Sequence, residues 1–428
     1  MDTKQEQVKI NASIITIGDE LLIGQVVDTN SAWMAQELNK IGIWLKRKVA
    51  VGDDRAEIVR ALDSESAISD IILITGGLGP TADDITKPVL CEYFNGELVV
   101  NDQALANIVH IFEKILKKPV TEVNRKQAEV PDNCTVLQNP WGTAPAMWFE
   151  KNGKVFISMP GVPVEMKGIM QHHVLNALKG RFNLPVILHQ TVLVAGIGES
   201  ALAEVIQQWE AALPPYIKLA YLPHFGTVRL RMTATGTDRE ALEIELEQQL
   251  RRLKPLIQQW MVIDDDLTMQ QAVARLLKSR KQTTGTAESC TGGYIAHLLT
   301  MDAGASSNFK GGVVSYDNSI KTGLLGVSEQ TLESVGAVSE ETVVQMVKGA
   351  LAALGTDYAV ATSGIMGPDG GSENKPVGTV WIGVGNKDKI VTQRFHFRFD
   401  RLRNIELTAQ NALNMLRKFI TDLPEEKH

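Results

Sequence analysis

Ala287-Glu288-Ser289-Cys290-Thr291-Gly292-Gly293 decides the reading of this chain. A β-type run, Gln282–Thr286, leads into it, and Tyr294, Ile295, Leu298 and Leu299 follow at helical spacing. A hydroxyl, a thiol and two glycines therefore sit where a strand turns into a helix. Helix N-termini leave N–H groups unpaired and carry partial positive charge. Such a junction can hold an anion or steady an oxyanion beside a nucleophile. Strands that alternate with helices make an α/β architecture, whose ligands bind outside the strand C-termini.

Three further segments of the last third carry reactive groups. Tyr316-Asp317-Asn318-Ser319-Ile320-Lys321 follows an expected strand at Gly312–Ser315. Ser363-Gly364-Ile365-Met366-Gly367-Pro368-Asp369-Gly370-Gly371 follows another at Tyr358–Thr362, and an arginine-rich segment spans Arg394–Arg403. Strand ends that deliver polar groups together predict one crevice. A serine needs a base to take its proton. His297 reads as a helix-face residue, His396 alternates within a strand, and His428 is as badly placed. Lys321 is the better candidate, because a lysine in a crevice can lose its proton near neutral pH. The alternative is a solvated helix lysine. Cys290 is either a rival nucleophile or a small buried hydrophobe. No Gly-x-Ser-x-Gly elbow surrounds Ser289, which disfavours an ordinary α/β-hydrolase.

The first part also alternates: strands are expected at Ser13–Ile17, Val49–Gly52, Ile71–Thr75 and Val155–Met159. Helices are expected from Asn30 or Ser31 to Gly42 and over Asp54–Leu62. A parallel sheet follows. Thr75-Gly76-Gly77-Leu78-Gly79-Pro80-Thr81-Ala82-Asp83-Asp84 leaves its most apolar strand. Glycines at a strand end, followed by a helix start, make a phosphate cradle. Asp83 and Asp84 either hold a divalent metal or cap a helix starting at Ile85. Gly18-Asp19-Glu20 offers more carboxylates near the same edge, with Glu20 a metal ligand or a turn residue. The loop is neither a dinucleotide fingerprint nor a Walker loop. The middle of the chain reads as a small α+β module: a strand at Gln190–Val194, a helix at Glu199–Ala211, a hairpin of Lys218–Leu222 with Thr227–Thr235, and a helix at Asp238–Leu253. A capping box at Thr268 and Gln271 then opens the last unit, and Ser339 starts a helix that ends at Gly355.

These motifs resemble the CinA family. Ala287–Gly293, Gly311-Gly312-Val313-Val314-Ser315-Tyr316, Gly336-Ala337-Val338-Ser339, Ser363–Pro368 and Lys375-Pro376-Val377-Gly378-Thr379-Val380 look like its C-terminal domain. Gly18–Leu22, Asp28–Ser31, the Thr75–Thr81 loop and Pro160-Gly161-Val162-Pro163 with Glu165-Met166 look like its N-terminal domain, which is similar to MoaB/MogA proteins. The resemblance implies an α/β multidomain protein: a MoaB/MogA-like domain over 1–175, a KH-like connector over 176–255 and an amidase domain over 256–428. It implies deamidation of nicotinamide mononucleotide to nicotinate mononucleotide and ammonia, in pyridine nucleotide recycling. Ser289 would be the nucleophile and Lys321 its base, with Tyr316 and Ser363 in support. Cys290, Thr291, Gly292, Gly293, Asn318, Gly364 and Gly367 would line the substrate, and Arg401, or failing it Arg403, would pair with its phosphate. The N-terminal domain would hydrolyse ADP-ribose with a Mg, Mn or Co type ion, using Gly76, Gly77, Gly79, Thr81 and the three carboxylates. The amidase would need no cofactor. A pterin- or nucleotide-binding protein without catalysis, and a scaffold in DNA uptake or repair, are the alternatives.

Bulk properties limit these choices. A length of 428 residues predicts two or three domains. A net charge of −7 opposes nucleic-acid binding, and the Gly196-Ile197-Gly198-Glu199 turn lacks the KH loop spacing. The connector is therefore expected to be structural. Three scattered cysteines fit a reducing cytoplasm. No leader is expected in Met1–Ile10 and no membrane span anywhere. A homodimer is the expected assembly.

Overall fold

The computed structural model describes residues 9–81 and 83–423. Ala82, His428 and most of the Met1–Ile10 stretch lie outside the described residues. The chain forms two compact units. One runs to Leu188 and takes in Thr235–Leu242; the other comprises His189–Ala234 and Glu243 onward.

In the first unit, the strand Ile71–Thr75 is buried at every residue, as its unbroken apolar run requires. It lies inside a six-stranded sheet ordered Trp44–Val51, Asn11–Ile17, Ile71–Thr75, Lys154–Met159, Ala146–Lys151, Thr135–Leu137. The first four strands are parallel and the last two antiparallel, so the expected parallel sheet is in fact mixed. Side chains alternate between two cores. Ile14, Leu73 and Ile157 meet Met34, Leu38 and Met166 on one face. Ile15, Ile72 and Ile74 meet Ile58, Leu62 and Leu90 on the other. The helix Thr29–Lys40 is capped by Asp28, which accepts from the Ser31 N–H, rather than by Asn30 or Ser31. Pro163 opens the helix Pro163–Ile169.

The second unit holds two sheets. The smaller is ordered Ile217–His224, Thr227–Gly236, Val186–Ala195, Met261–Ile263. Its hairpin turns at Gly226, whose φ of 73° suits glycine. The larger is ordered Phe309–Val314, Thr284–Glu288, Tyr358–Gly364, Thr379–Gly385, Ile390–His396. Its first three strands are parallel and its last two antiparallel. One face, with Ala287, Ala359 and Ala361, packs on Leu325, Val343 and Val347. The other, with Val360 and Ile382, packs on Val273, Leu298, Leu413 and Phe419. The arginine-rich segment is no single element: the strand ends at His396, and Asp400 caps a 22-residue helix, Arg401–Asp422. Among the described residues no helix is long and apolar enough to cross a membrane. Cys91, Cys134 and Cys290 are free thiols.

Candidate functional site

Ser289 directly follows the strand Thr284–Glu288, and its N–H donates to Thr362 O at 2.9 Å on the neighbouring strand. The glycines of the following turn both have left-handed φ, 60° at Gly292 and 95° at Gly293. That lets the chain reverse within four residues into the helix Tyr294–Thr300. Ser289 stands two residues after Ala287, the spacing that shares a face in a strand. The same face carries the helix Asn318–Leu325, which brings Lys321.

Lys321 is 1% exposed, not solvated. Its Nζ donates to Ser315 O at 2.8 Å and Tyr316 O at 3.3 Å. Ser315 in turn donates its N–H to Glu288 O at 2.8 Å. The amine thus sits at the end of the strand beside that of Ser289. Burial draws the Lys321 ammonium below its ordinary range, against the opposing pull of Asp317. Two main-chain carbonyls hold the amine, which leaves its third position for a contact with Ser289 Oγ. Nucleophile–base contacts often tighten only when substrate binds.

The helix N-terminus is not free for an oxyanion, contrary to the sequence reading. The Glu288 carboxylate occupies it, accepting from the N–H groups of Gly293, Ile295 and Ala296 and from Thr291 Oγ1. The Thr291 hydroxyl and the Gly293 N–H are therefore engaged inside the turn and are not offered to a substrate. The sequence reading missed Glu288, although an acid directly before a strand-to-helix turn was its signal. Within the turn, the amides of Cys290 and Thr291 are not among the donors that Glu288 takes.

Cys290 lies across the sheet, 5% exposed among Val360, Val380 and Leu298. Burial pushes its thiol up to about 12, which removes thiolate at neutral pH. Of its two readings, the buried hydrophobe fits. The Ser363 hydroxyl is also engaged, donating to Ala337 O at 2.6 Å, so it tethers the Gly336–Ser339 loop. Asn318 is exposed at the first position of its helix. Gly364 ends its strand against Val380.

Arg401 joins three of the segments. Nη1 donates to Gly367 O and Nη2 to Tyr316 Oη, both at 2.9 Å. The Tyr316 ring is 59% exposed beside it. Arg403 points elsewhere, with Nε 3.3 Å from Asp400 and its guanidinium over the Phe225 ring. The sequence left the two arginines open; only Arg401 reaches the strand ends.

The first unit has its own cavity, of about 510 Å³, at the strand ends. Gly76, Gly77, Gly79, Glu20, Asp83 and Asp84 all line it. A Cβ on Gly76 would strike the Ile17 carbonyl, and one on Gly77 the Thr86 hydroxyl, so the close approach requires glycine. The helix expected from Ile85 starts at Thr86 without a side-chain cap. Neither aspartate caps it: Asp84 instead accepts from the N–H and hydroxyl of Thr81. The sequence reading also missed Asp53 and the cavity-facing role of Glu165. Burial raises the Asp53 carboxyl above its ordinary range, and the charges of Asp19, Glu20 and Asp83 push the same way. Asp53 directly follows the strand Trp44–Val51 and Gly52, which was the available signal. Burial likewise raises Glu165, against the bond it accepts from Asn139 Nδ2 at 2.6 Å.

This donor set suits a hard divalent cation. Six carboxylates line the cavity (Glu20, Asp28, Asp53, Asp83, Asp84, Glu165) and, among the described lining residues, no lysine, arginine or histidine. Among the described residues, however, no three acids, histidines or cysteines are grouped as a ready cage. The arrangement thus fits a cation held by one or two carboxylates, with substrate and water oxygens completing it, as magnesium-type sites are.

Family models and full-length relatives match this chain. Residues 13–180 match the family described as "Probable molybdopterin binding domain", 189–261 the "Damage-inducible protein CinA KH domain", and 266–420 the "CinA C-terminal domain". A CinA-like protein of Cytophaga hutchinsonii is 49% identical over 97% of this chain and 99% of its own length. One from Flavobacterium psychrophilum is 42% identical over 96% of this chain and 99% of its own. A solved CinA superfamily structure from Klebsiella pneumoniae is 35% identical, spans 36% of this chain and 97% of its own, and superposes with a TM-score of 0.36. With a MoaB-like N-terminal domain, a KH-like connector and a CinA C-terminal domain, this chain belongs to the CinA family.

Proposed function

We propose that the C-terminal domain is an amidohydrolase that converts nicotinamide mononucleotide to nicotinate mononucleotide and ammonia. The observation that carries this reading is the buried Lys321 amine, held at the end of the strand beside the one that leads into Ser289, near the Tyr316–Arg401 pair. In the neutral form, the Lys321 amine takes the Ser289 proton as Oγ attacks the carboxamide carbon. The C–N bond breaks, the proton leaves with ammonia, and a Ser289 ester remains. Water adds to the ester, passes a proton to Lys321, and the acid departs with Ser289 restored. The amides of Cys290 and Thr291 are the turn donors left for the oxyanion. One such donor contributes about 3 kcal/mol in comparable enzymes.

Arg401 suits the substrate phosphate, because bonds to Gly367 and Tyr316 fix a guanidinium that has five donors. An Arg401→Ala variant is expected to raise KM for the mononucleotide by about tenfold or more, with kcat less affected, from the loss of charged hydrogen bonds. Steady-state ammonia assays check this; an unchanged KM would place the phosphate elsewhere.

For the N-terminal domain we infer a metal-dependent hydrolysis of ADP-ribose. The acid-lined cavity supports it, since carboxylates alone would repel a diphosphate. A bound cation would neutralise that charge, while the glycines let main-chain N–H groups approach it. Asp83→Ala is expected to abolish metal-dependent cleavage. Unchanged rates across several divalent ions would leave Asp83 a mere loop residue. The family description of residues 13–180 supports a second reading, pterin binding without catalysis; ligand binding with no product under any metal would favour it.

A further inference from the structure

We propose that Glu288 is a positioning residue for the chemistry at Ser289, an inference that rests on the amidohydrolase reading above. Glu288 is 1% exposed, in a place where an isolated carboxylate would be costly. Four donors compensate it. Oε2 accepts from Thr291 Oγ1 at 2.7 Å, Gly293 N at 3.1 Å and Ile295 N at 3.0 Å, and Oε1 accepts from Ala296 N at 2.8 Å. Bonds to an ionised acceptor are shorter and stronger than neutral ones. Thr291 Oγ1 also lies 2.8 Å from Thr362 Oγ1, so the clamp reaches the adjacent strand.

The clamp closes over the reactive turn. Glu288 pairs through its main chain with Val314 on one side and Thr362 on the other. Its side chain grips the start of the next helix, on the sheet face opposite Lys321. Ser289 and Cys290 therefore lie between two fixed points, a paired strand and a pinned helix. Three consequences follow. The helix end is neutralised by a resident anion and does not attract a second one. The turn amides of Cys290 and Thr291 stay outside the clamp. Ser289 is held on the Lys321 face although two left-handed glycines follow at Gly292 and Gly293.

A residue that only caps a helix would change stability. A positioning residue changes kcat in a folded protein, because a misplaced nucleophile loses rate more than binding. Glu288→Gln keeps the shape but turns an amide NH2 towards N–H donors. We expect it to lower kcat for ammonia release by about 10²-fold, with KM little changed. We expect the same fall in the rate at which a fluorophosphonate probe labels Ser289, read by mass spectrometry. Thr291→Val removes one donor and should cost about tenfold in both assays. Thr291→Ser, which restores the hydroxyl, should recover both. If Glu288→Gln does not fold, the Thr291 pair carries the test in its place. Wild-type kcat and labelling in a folded Glu288→Gln, or a loss confined to KM, would overturn the proposal. So would wild-type rates in Thr291→Val. A wild-type chain that labels at Ser289 but releases no ammonia from the mononucleotide would sink the deamidase reading alone, and the labelling rates would still decide the role of Glu288.

Discussion

Replacing Ser289 with alanine is expected to cut ammonia release from nicotinamide mononucleotide by on the order of 10⁴-fold or more, as loss of the nucleophile does in serine hydrolases. The turn should survive the change. The Ser289 N–H bond to Thr362 O is made by the main chain, and the Glu288 clamp does not involve the Ser289 side chain. The loss should fall on kcat, because the phosphate contact assigned to Arg401 remains. Cys290→Ala is the comparison: with its thiol pushed up to about 12, Cys290 supplies no nucleophile, and turnover should persist. Turnover lost in Cys290→Ala and kept in Ser289→Ala would transfer the chemistry to sulfur.

Lys321→Met should lower kcat by roughly 10²- to 10⁴-fold, the range of a lost general base. The sign of the pH dependence follows from the side chain. Only the neutral amine can take a proton, and burial moves the Lys321 pKa below 10.5. The wild-type rate should therefore rise with pH through that lowered value and then level off. Lys321→Met should flatten this limb, and Lys321→Arg, which stays charged, should abolish turnover. A rising limb that persists in Lys321→Met would assign the base to another group.

Much of this was legible from short-range pattern. The apolar run Ile71–Thr75 and the helix Glu199–Ala211 lie where periodicity placed them, because burial on both faces and an amphipathic stripe each leave a direct mark. Ser289 and Lys321 were nameable because strand ends in an α/β sheet share an edge, whereas Arg401 came only from the family resemblance. The long helix Arg401–Asp422 was hidden behind its arginines: its mean hydropathy is low, and its apolar positions matter only against the sheet. The strands Ala146–Lys151 and Thr135–Leu137 are short, and only their pairing beside Lys154–Met159 defines them.

The side-chain partners were the least legible part. An acid before the turn was a signal for Glu288, but its spacing from Thr291 and Gly293 does not say which donors a buried carboxylate takes. Nor does sequence tell that Ser363 donates to Ala337 or that Asp84 folds onto Thr81. These bonds depend on three-dimensional competition for donors, and they changed the oxyanion assignment. Asp53 joined the acidic cavity for a similar reason. It follows a strand whose neighbours across the sheet bring Glu20 and Asp83 to the same edge.

The most direct test is to incubate the purified wild-type chain with nicotinamide mononucleotide, with and without a chelator, and to quantify both products. The account requires ammonia and nicotinate mononucleotide in equal amounts, at a rate the chelator leaves unchanged. Absence of ammonia, or ammonia release that stops on removal of divalent metal, would contradict a Ser289–Lys321 amidohydrolase.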